Sequence, residues 1–226
     1  MVMCRRYALK CIDMKGQTRL VVDADIWFPS HFNIAPTSKN PVIIATPTGN
    51  RLRTMVWGLP PHGVPPHRAA SRVTNARAES LADKPMFCRL LADRRCIVPA
   101  SGFYEWKTEG SRKVPFYIRR KDHALLLFAG LYETGQDPAG EPHEAYTIIT
   151  TEPNELVAPV HDRMPAILTE EGVQRWLAFG PLSPEALREI LAPCAPHLIE
   201  AYPVSSRVNR TVEDDEQLTV PVRGLL

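Results

Sequence analysis

Long apolar runs are missing from this 226-residue chain. The longest, Pro41–Ala45 and Ala124–Gly130, fall far short of the ~20 residues that a membrane-spanning helix needs. Cysteine is scarce: five residues at irregular spacing do not make a disulfide framework. No two Cys or His residues show metal-ligand spacing, so neither a metal nor another cofactor is expected. Met1–Lys10 carries Arg5, Arg6 and Lys10 with no apolar core behind them, which argues against a secretory leader. Reduced thiols and no leader lead to the expectation of a cytoplasmic protein. A formal net charge of only +2 excludes a global field that would draw in nucleic acid. Internal repeats, low-complexity segments and boundary-like linkers are also absent, so residues 1–226 read as a single domain, expected to be a monomer.

Proline, by contrast, is plentiful. Its 22 residues are about twice the usual share of ~5%, which points to short elements and ordered loops. Val42–Thr46 and Leu52–Trp57 flank Pro47-Thr48-Gly49-Asn50, a hairpin signal. Further β-favouring runs are Phe32–Ile34, Ser71–Ala78, Val114–Arg119, Ala124–Leu131, Ala145–Thr150 and Leu198–Val204. Helices are predicted over Thr169–Phe179 and Pro184–Ala192, with Thr169 and Ser183 as N-caps. A third is predicted over Pro85–Asp93 with Asp83 as its cap, and a weaker one around Thr18–Ile26. Pro60–Pro66 and Gly135–Pro142 read as loops. The fold class this implies is α+β: one β-rich domain with a mixed sheet core and peripheral helices. Charge is clustered, with Arg5/Arg6, Arg68/Arg72/Arg77, Arg89/Arg94/Arg95 and Arg119/Arg120/Lys121 set against the acidic run Glu213–Glu216. Clusters of this kind are usually solvated faces.

The chain is organised around Cys96–Trp106, two short strands joined at a Pro99–Gly102 bend. Alternation places Phe103 and Glu105 on one face of the second strand and Tyr104 and Trp106 on the other. Desolvation among aromatic rings raises a carboxylate's pKa and suits it to accept a proton. Three other segments carry polar residues where the chain otherwise reads as structured. Asn75, Arg77 and Glu79 share one face of Thr74–Glu79, His161 and Arg163 are held between Pro159 and Pro165, and Cys4 precedes Arg5 and Arg6.

These blocks occur in one order: Cys4–Tyr7, Phe32–Thr37, Trp57-Gly58-Leu59, Asn75–Glu79, Arg95–Trp106, Ala129–Glu133, Thr147–Thr151, His161–Pro165 and Pro203-Val204-Ser205. Together they resemble the SRAP family, the SOS-response-associated peptidases now understood as abasic-site processing proteins. The resemblance spans nearly the whole chain and implies a barrel-like sheet core. It also implies that the partner is single-stranded DNA containing abasic sites. A processed N-terminal cysteine, here Cys4, would close a thiazolidine on the aldehyde of the opened sugar and cross-link protein to DNA. An α-amine with a pKa near ~8, against ~10.4 for lysine, is far more nucleophilic at neutral pH, and its own thiol is tethered for ring closure. By position, Glu105 would take or orient the amine proton, His161 would act as acid on the sugar ring oxygen, and Asn75 would hold the reacting atoms. Arg6, Arg77 and Arg163 would contact phosphates.

The chain departs from the family pattern in three places. The family begins Met-Cys-Gly-Arg, whereas here Cys4 stands fourth, and it becomes N-terminal only where translation starts at Met3 or where Met1–Met3 are trimmed away. Arg5 stands in place of a glycine, and Pro60–His67 lacks the family's tryptophan. Two alternatives therefore stand beside the cross-linking enzyme. One is a cysteine-type peptidase acting mainly on its own N-terminus, using Cys4, His161 and Glu105. The other is a module that binds single-stranded DNA without a covalent bond.

Overall fold

The computed structural model describes residues 5–10, 20, 28–60, 72–136 and 142–222. Cys4, the helix expected around Thr18–Ile26, and most of the Pro60–Pro66 loop lie outside the described residues. The strands are β1 (Arg6–Leu9), β2 (His31–Ile34), β3 (Lys39–Thr46), β4 (Gly49–Trp57), β5 (Asn75–Arg77), β6 (Arg95–Ala100), β7 (Gly102–Glu109), β8 (Arg112–Arg120), β9 (Leu126–Gln136), β10 (Pro142–Thr151), β11 (Met164–Pro165) and β12 (Ile199–Pro203). The helices are α1 (Pro85–Leu91), α2 (Glu170–Leu177) and α3 (Pro184–Ile190). No described helix is long and apolar enough to cross a membrane.

Five strands close into a barrel in the cyclic order β10, β4, β3, β6, β9. Four ladders are antiparallel, and the β4–β10 ladder is parallel through Val56–Ala145 and Trp57–Tyr146. Ring closure removes the exposed edges that an open sheet of this length would carry. The short β5 and β11 pair with β10 in the same sheet, and the other five strands form an open antiparallel sheet in the order β12, β8, β7, β1, β2. The organising stretch links the two layers. β6 ends at Ala100 inside the barrel, Ser101 turns the corner, and β7 begins at Gly102 in the open sheet. Glycine is required at the corner because a Cβ there would lie 2.3 Å from Tyr117 Cζ and 2.7 Å from the Ile118 carbonyl oxygen.

The open sheet lies over the barrel through aromatic side chains. Phe103 meets Phe128 edge-on at 5.9 Å, and Tyr7 meets Trp57 at 5.2 Å. The Tyr7 hydroxyl is 2.7 Å from that of Tyr146, which also accepts from Asn40 Nδ2 at 3.2 Å. The expected alternation along β7 holds. Phe103 joins the main core, while Tyr104 and Trp106 pack in a second cluster with Tyr117, Val204, Val208 and Leu218.

At the helices, Thr169 Oγ1 accepts from the Gly172 amide and Ser183 Oγ from the Ala186 amide, as the sequence predicts. Asp83 does not cap α1. Lys84 occupies that position with no side-chain bond, and its carbonyl oxygen accepts from the Phe87 and Cys88 amides. With Pro85 at the first helical position, one fewer amide there needs an acceptor. Arg95 is not on a solvated face either. Its buried guanidinium donates to the carbonyl oxygens of Trp176 (2.6 Å), Leu91 (2.5 Å), Ala92 (3.0 Å), Gly180 (3.0 Å) and Ala178, fastening the C-terminal ends of α1 and α2 to the barrel.

Candidate active site

The C-terminal half of β10 is the spine of the site. On one side it pairs with β5, Ile148 opposite Asn75 and Thr150 opposite Arg77. On the other it pairs with β11, Thr150 opposite Pro165 and Thr151 opposite Met164. Two blocks 84 residues apart, containing Asn75–Glu79 and His161–Pro165, thereby flank one strand. The third block arrives from the other layer, where β7 carries Glu105 opposite Phe116 of β8.

Glu105 and His161 meet between these layers. Glu105 Oε2 lies 3.7 Å from His161 Nε2, and their side chains are 3% and 5% exposed. Two polar groups withdrawn this far from water interact strongly with each other and with any charge that enters. The Arg163 amide donates to His161 Nδ1 at 3.1 Å, so in the neutral ring the proton sits on Nε2, facing the carboxylate. Burial lowers the His161 pKa from its ordinary value near 6.5, with the Asp162 carboxylate, 3.0 Å from Nδ1, pulling the other way. The depressed value has a defined consequence for stability. The unfolded chain takes up a proton more readily than the folded one, so stability from this group is present above pH 6.5 and is lost as pH falls below it toward the folded pKa. Chemical denaturation from pH 7.5 to 5 is expected to show this loss in the wild type. It should be smaller in His161→Gln, and identical slopes in the two proteins would contradict the assignment.

The other predicted site residues are placed as follows. Asn75 is half-buried on β5, and its Nδ2 donates to Thr74 Oγ1 at 3.3 Å. Arg77, two residues on, is exposed. Arg163 is more committed: Nη1 and Nη2 donate to the two Glu79 oxygens at 2.8 and 2.9 Å, and Nη2 also reaches the Thr150 carbonyl oxygen at 2.7 Å. Arg6 lies opposite Tyr104 on β7, one residue from Glu105. Its Nη1 donates to Asn33 Oδ1 at 2.7 Å and to the Val208 carbonyl oxygen at 2.8 Å. Asn33 in turn donates to the carbonyl oxygens of Arg210 and Glu213, which fastens the C-terminal segment beneath β1 and β2. Asn33 lies inside a motif block yet stands out in sequence only as one polar residue in an extended apolar run. Glu79 and Thr150 were equally unmarked as partners of Arg163, since their contact is long-range. Among the described cysteines, burial pushes the Cys96 thiol far up and that of Cys194 to about 11, so neither is primed as a nucleophile at neutral pH.

Fold and site define a class: a closed five-stranded barrel overlaid by an open sheet, with a buried carboxylate–imidazole pair between the layers and an exposed arginine on the adjoining β5. The chain matches the SOS response associated peptidase (SRAP) family over residues 3–211 and belongs to it. It is 42% identical over 188 residues to abasic site processing protein YoqW of Bacillus subtilis, covering 83% of this chain and 84% of that protein. It is 32% identical over 220 residues to abasic site processing protein HMCES of Xenopus tropicalis, covering 84% of this chain and 65% of that one. A crystal structure of a protein from Bacteroides thetaiotaomicron superposes with a TM-score of 0.85 at 28% identity, covering 97% of this chain and 100% of that one.

Proposed function

We propose that this protein binds single-stranded DNA at an abasic site and captures the sugar covalently through Cys4, made N-terminal by removal of Met1–Met3. The observation that carries the reading is the buried Glu105–His161 pair, in a chain whose relatives are named abasic site processing proteins. Cys4 precedes by two residues Arg6, which is itself opposite Tyr104 and beside Glu105 in the strand order.

Ring opening takes one proton off the sugar's C1 hydroxyl and puts one onto its ring oxygen. Glu105 accepts the first while His161 Nε2–H gives the second as the ring C–O bond breaks, leaving an aldehyde, and the two side chains then pass the proton between themselves. Glu105, a carboxylate again, takes the proton of the Cys4 ammonium, and the freed amine attacks the aldehyde carbon. Water leaves to form the imine, and the thiol then adds across the C=N bond to close the thiazolidine ring. No electrons are transferred to an outside acceptor. Asn75 holds the reacting atoms by hydrogen bonds. Arg77, exposed beside it, contacts a flanking phosphate, while Arg6 and Arg163 offer phosphates only the donors left over from Asn33 and Glu79.

The test uses protein whose N-terminus is defined by intact mass, incubated with an abasic-site oligonucleotide and run on a denaturing gel. A heat-stable shifted band is expected, and it should vanish in Cys4→Ala. A salt-sensitive native shift with no denaturation-resistant band would overturn covalent capture and leave a DNA-binding module. The family's description as a peptidase favours a second reading, in which the same groups cut the Met3–Cys4 bond. Cleavage of unrelated peptides by the purified protein would favour that reading over the first.

A further inference from the structure

We propose that Glu79 is a positioning residue for this site. By clamping the Arg163 guanidinium it fixes the loop whose backbone decides which nitrogen of His161 carries the proton. The inference rests on the reading of the Glu105–His161 pair given above.

Glu79 sits on the 3-10 turn Ala78–Ser80, immediately after β5. Arg163 immediately precedes β11. One guanidinium joins the elements on both sides of β10 and β10 itself, through two bonds to Glu79 and one to the Thr150 carbonyl oxygen. Bidentate pairing of this kind fixes orientation as well as position. What it orients is a three-residue loop in which the Arg163 amide points at His161 Nδ1.

Two arrangements compete at that nitrogen. With the Arg163 amide as donor, Nδ1 accepts, and the ring proton is on Nε2 toward Glu105. If the loop relaxes, Nδ1 can instead carry the proton and donate to Asp162 Oδ1, which already lies 3.0 Å away. The first arrangement supplies a proton at the reacting centre, and the second turns it toward an exposed carboxylate. Glu79 is 49% exposed on its side chain, but Arg163 is only 12% exposed. Urea denaturation of Glu79→Gln is therefore measured beside its kinetics, so that a loss of stability is not read as a loss of chemistry.

Glu79→Gln keeps the side chain's size but can accept only through one oxygen. Single-turnover cross-linking at saturating abasic DNA is expected to slow by about tenfold, the low end of what loss of a partner behind a catalytic group costs. Affinity for the same oligonucleotide should stay within about twofold. The decisive comparison is the double variant Glu79→Gln/His161→Ala. If Glu79 acts only through His161, the double variant reacts no more slowly than His161→Ala alone. Losses that multiply would overturn the proposal. Nitrogen-15 NMR of the His161 ring supplies a readout independent of DNA: an Nε2–H tautomer in the wild type, shifting toward Nδ1–H in Glu79→Gln. An unchanged tautomer would overturn the proposal as well. Failure of the wild type to cross-link would sink the functional reading, and the NMR result would still decide this one.

Discussion

Glu105→Gln is expected to leave a folded protein that binds abasic single-stranded DNA and cross-links to it about 10²–10³-fold more slowly. Glutamine fills the same volume on β7, so the layer contact made by Phe103 and the strand pairing with β1 and β8 are retained. It cannot take a proton from an ammonium group, and a positioned general base is worth about 10²–10⁴ in rate. The reactive amine then depends on the small fraction already neutral and on water, which Glu105's 2% exposure largely excludes. Single-turnover rates at saturating DNA, set beside affinities from fluorescence anisotropy, separate the two effects. A selective loss of rate places Glu105 in the chemistry. Equal losses of rate and affinity would remove it from that role and make it a binding residue.

Arg95→Met is expected to be the most damaging substitution away from the site, at about 3–5 kcal/mol, the scale on which breaking a buried charged network costs stability. Five carbonyl oxygens at the ends of α1 and α2 lose their donor, while the cation that opposes the negative ends of both helices disappears. Total stabilities of ~5–15 kcal/mol leave little margin for such a loss. For a chain of this size the melting temperature should fall by roughly 10 °C. Arg95→Lys should rescue only a minor part, because three donors on one nitrogen cannot span two helix ends. Urea denaturation checks both variants, and a cost below about 1 kcal/mol for Arg95→Met would show that the carbonyls find other donors.

Arg95 also shows where the sequence stops being legible. In the run Arg89/Arg94/Arg95 nothing marks one cation as buried. What buries it is the arrival of α2 some 80 residues later, with Trp176 donating to the Cys96 carbonyl oxygen at 2.9 Å. Local signals survive better. The alternation at Phe103–Trp106 and the caps at Thr169 and Ser183 depend on near neighbours, and the structure keeps them. Asp83 fails as a cap because the chain places Lys84 at that position, which Pro85 makes tolerable without a side-chain acceptor. Family motifs named the blocks that bear the site, and two of these, around Glu105 and His161, come together. The barrel was legible only through the family resemblance, and the Glu79–Arg163 clamp not at all, because both are pairings across long stretches of chain.

The parallel seam between β4 and β10 has a consequence for biosynthesis. One side of the seam is complete at Trp57, but its partner residues are Ala145 and Tyr146, so the edge of β4 stays open while nearly ninety further residues are made. β10 is also the strand to which both flanks of the candidate site pair, and a nascent fragment ending before it leaves Asn75 without that support and lacks His161 altogether. The candidate site is therefore assembled only late in translation. Splitting the gene between β9 and β10 should yield two halves that bring Glu105 and His161 together only when they dock.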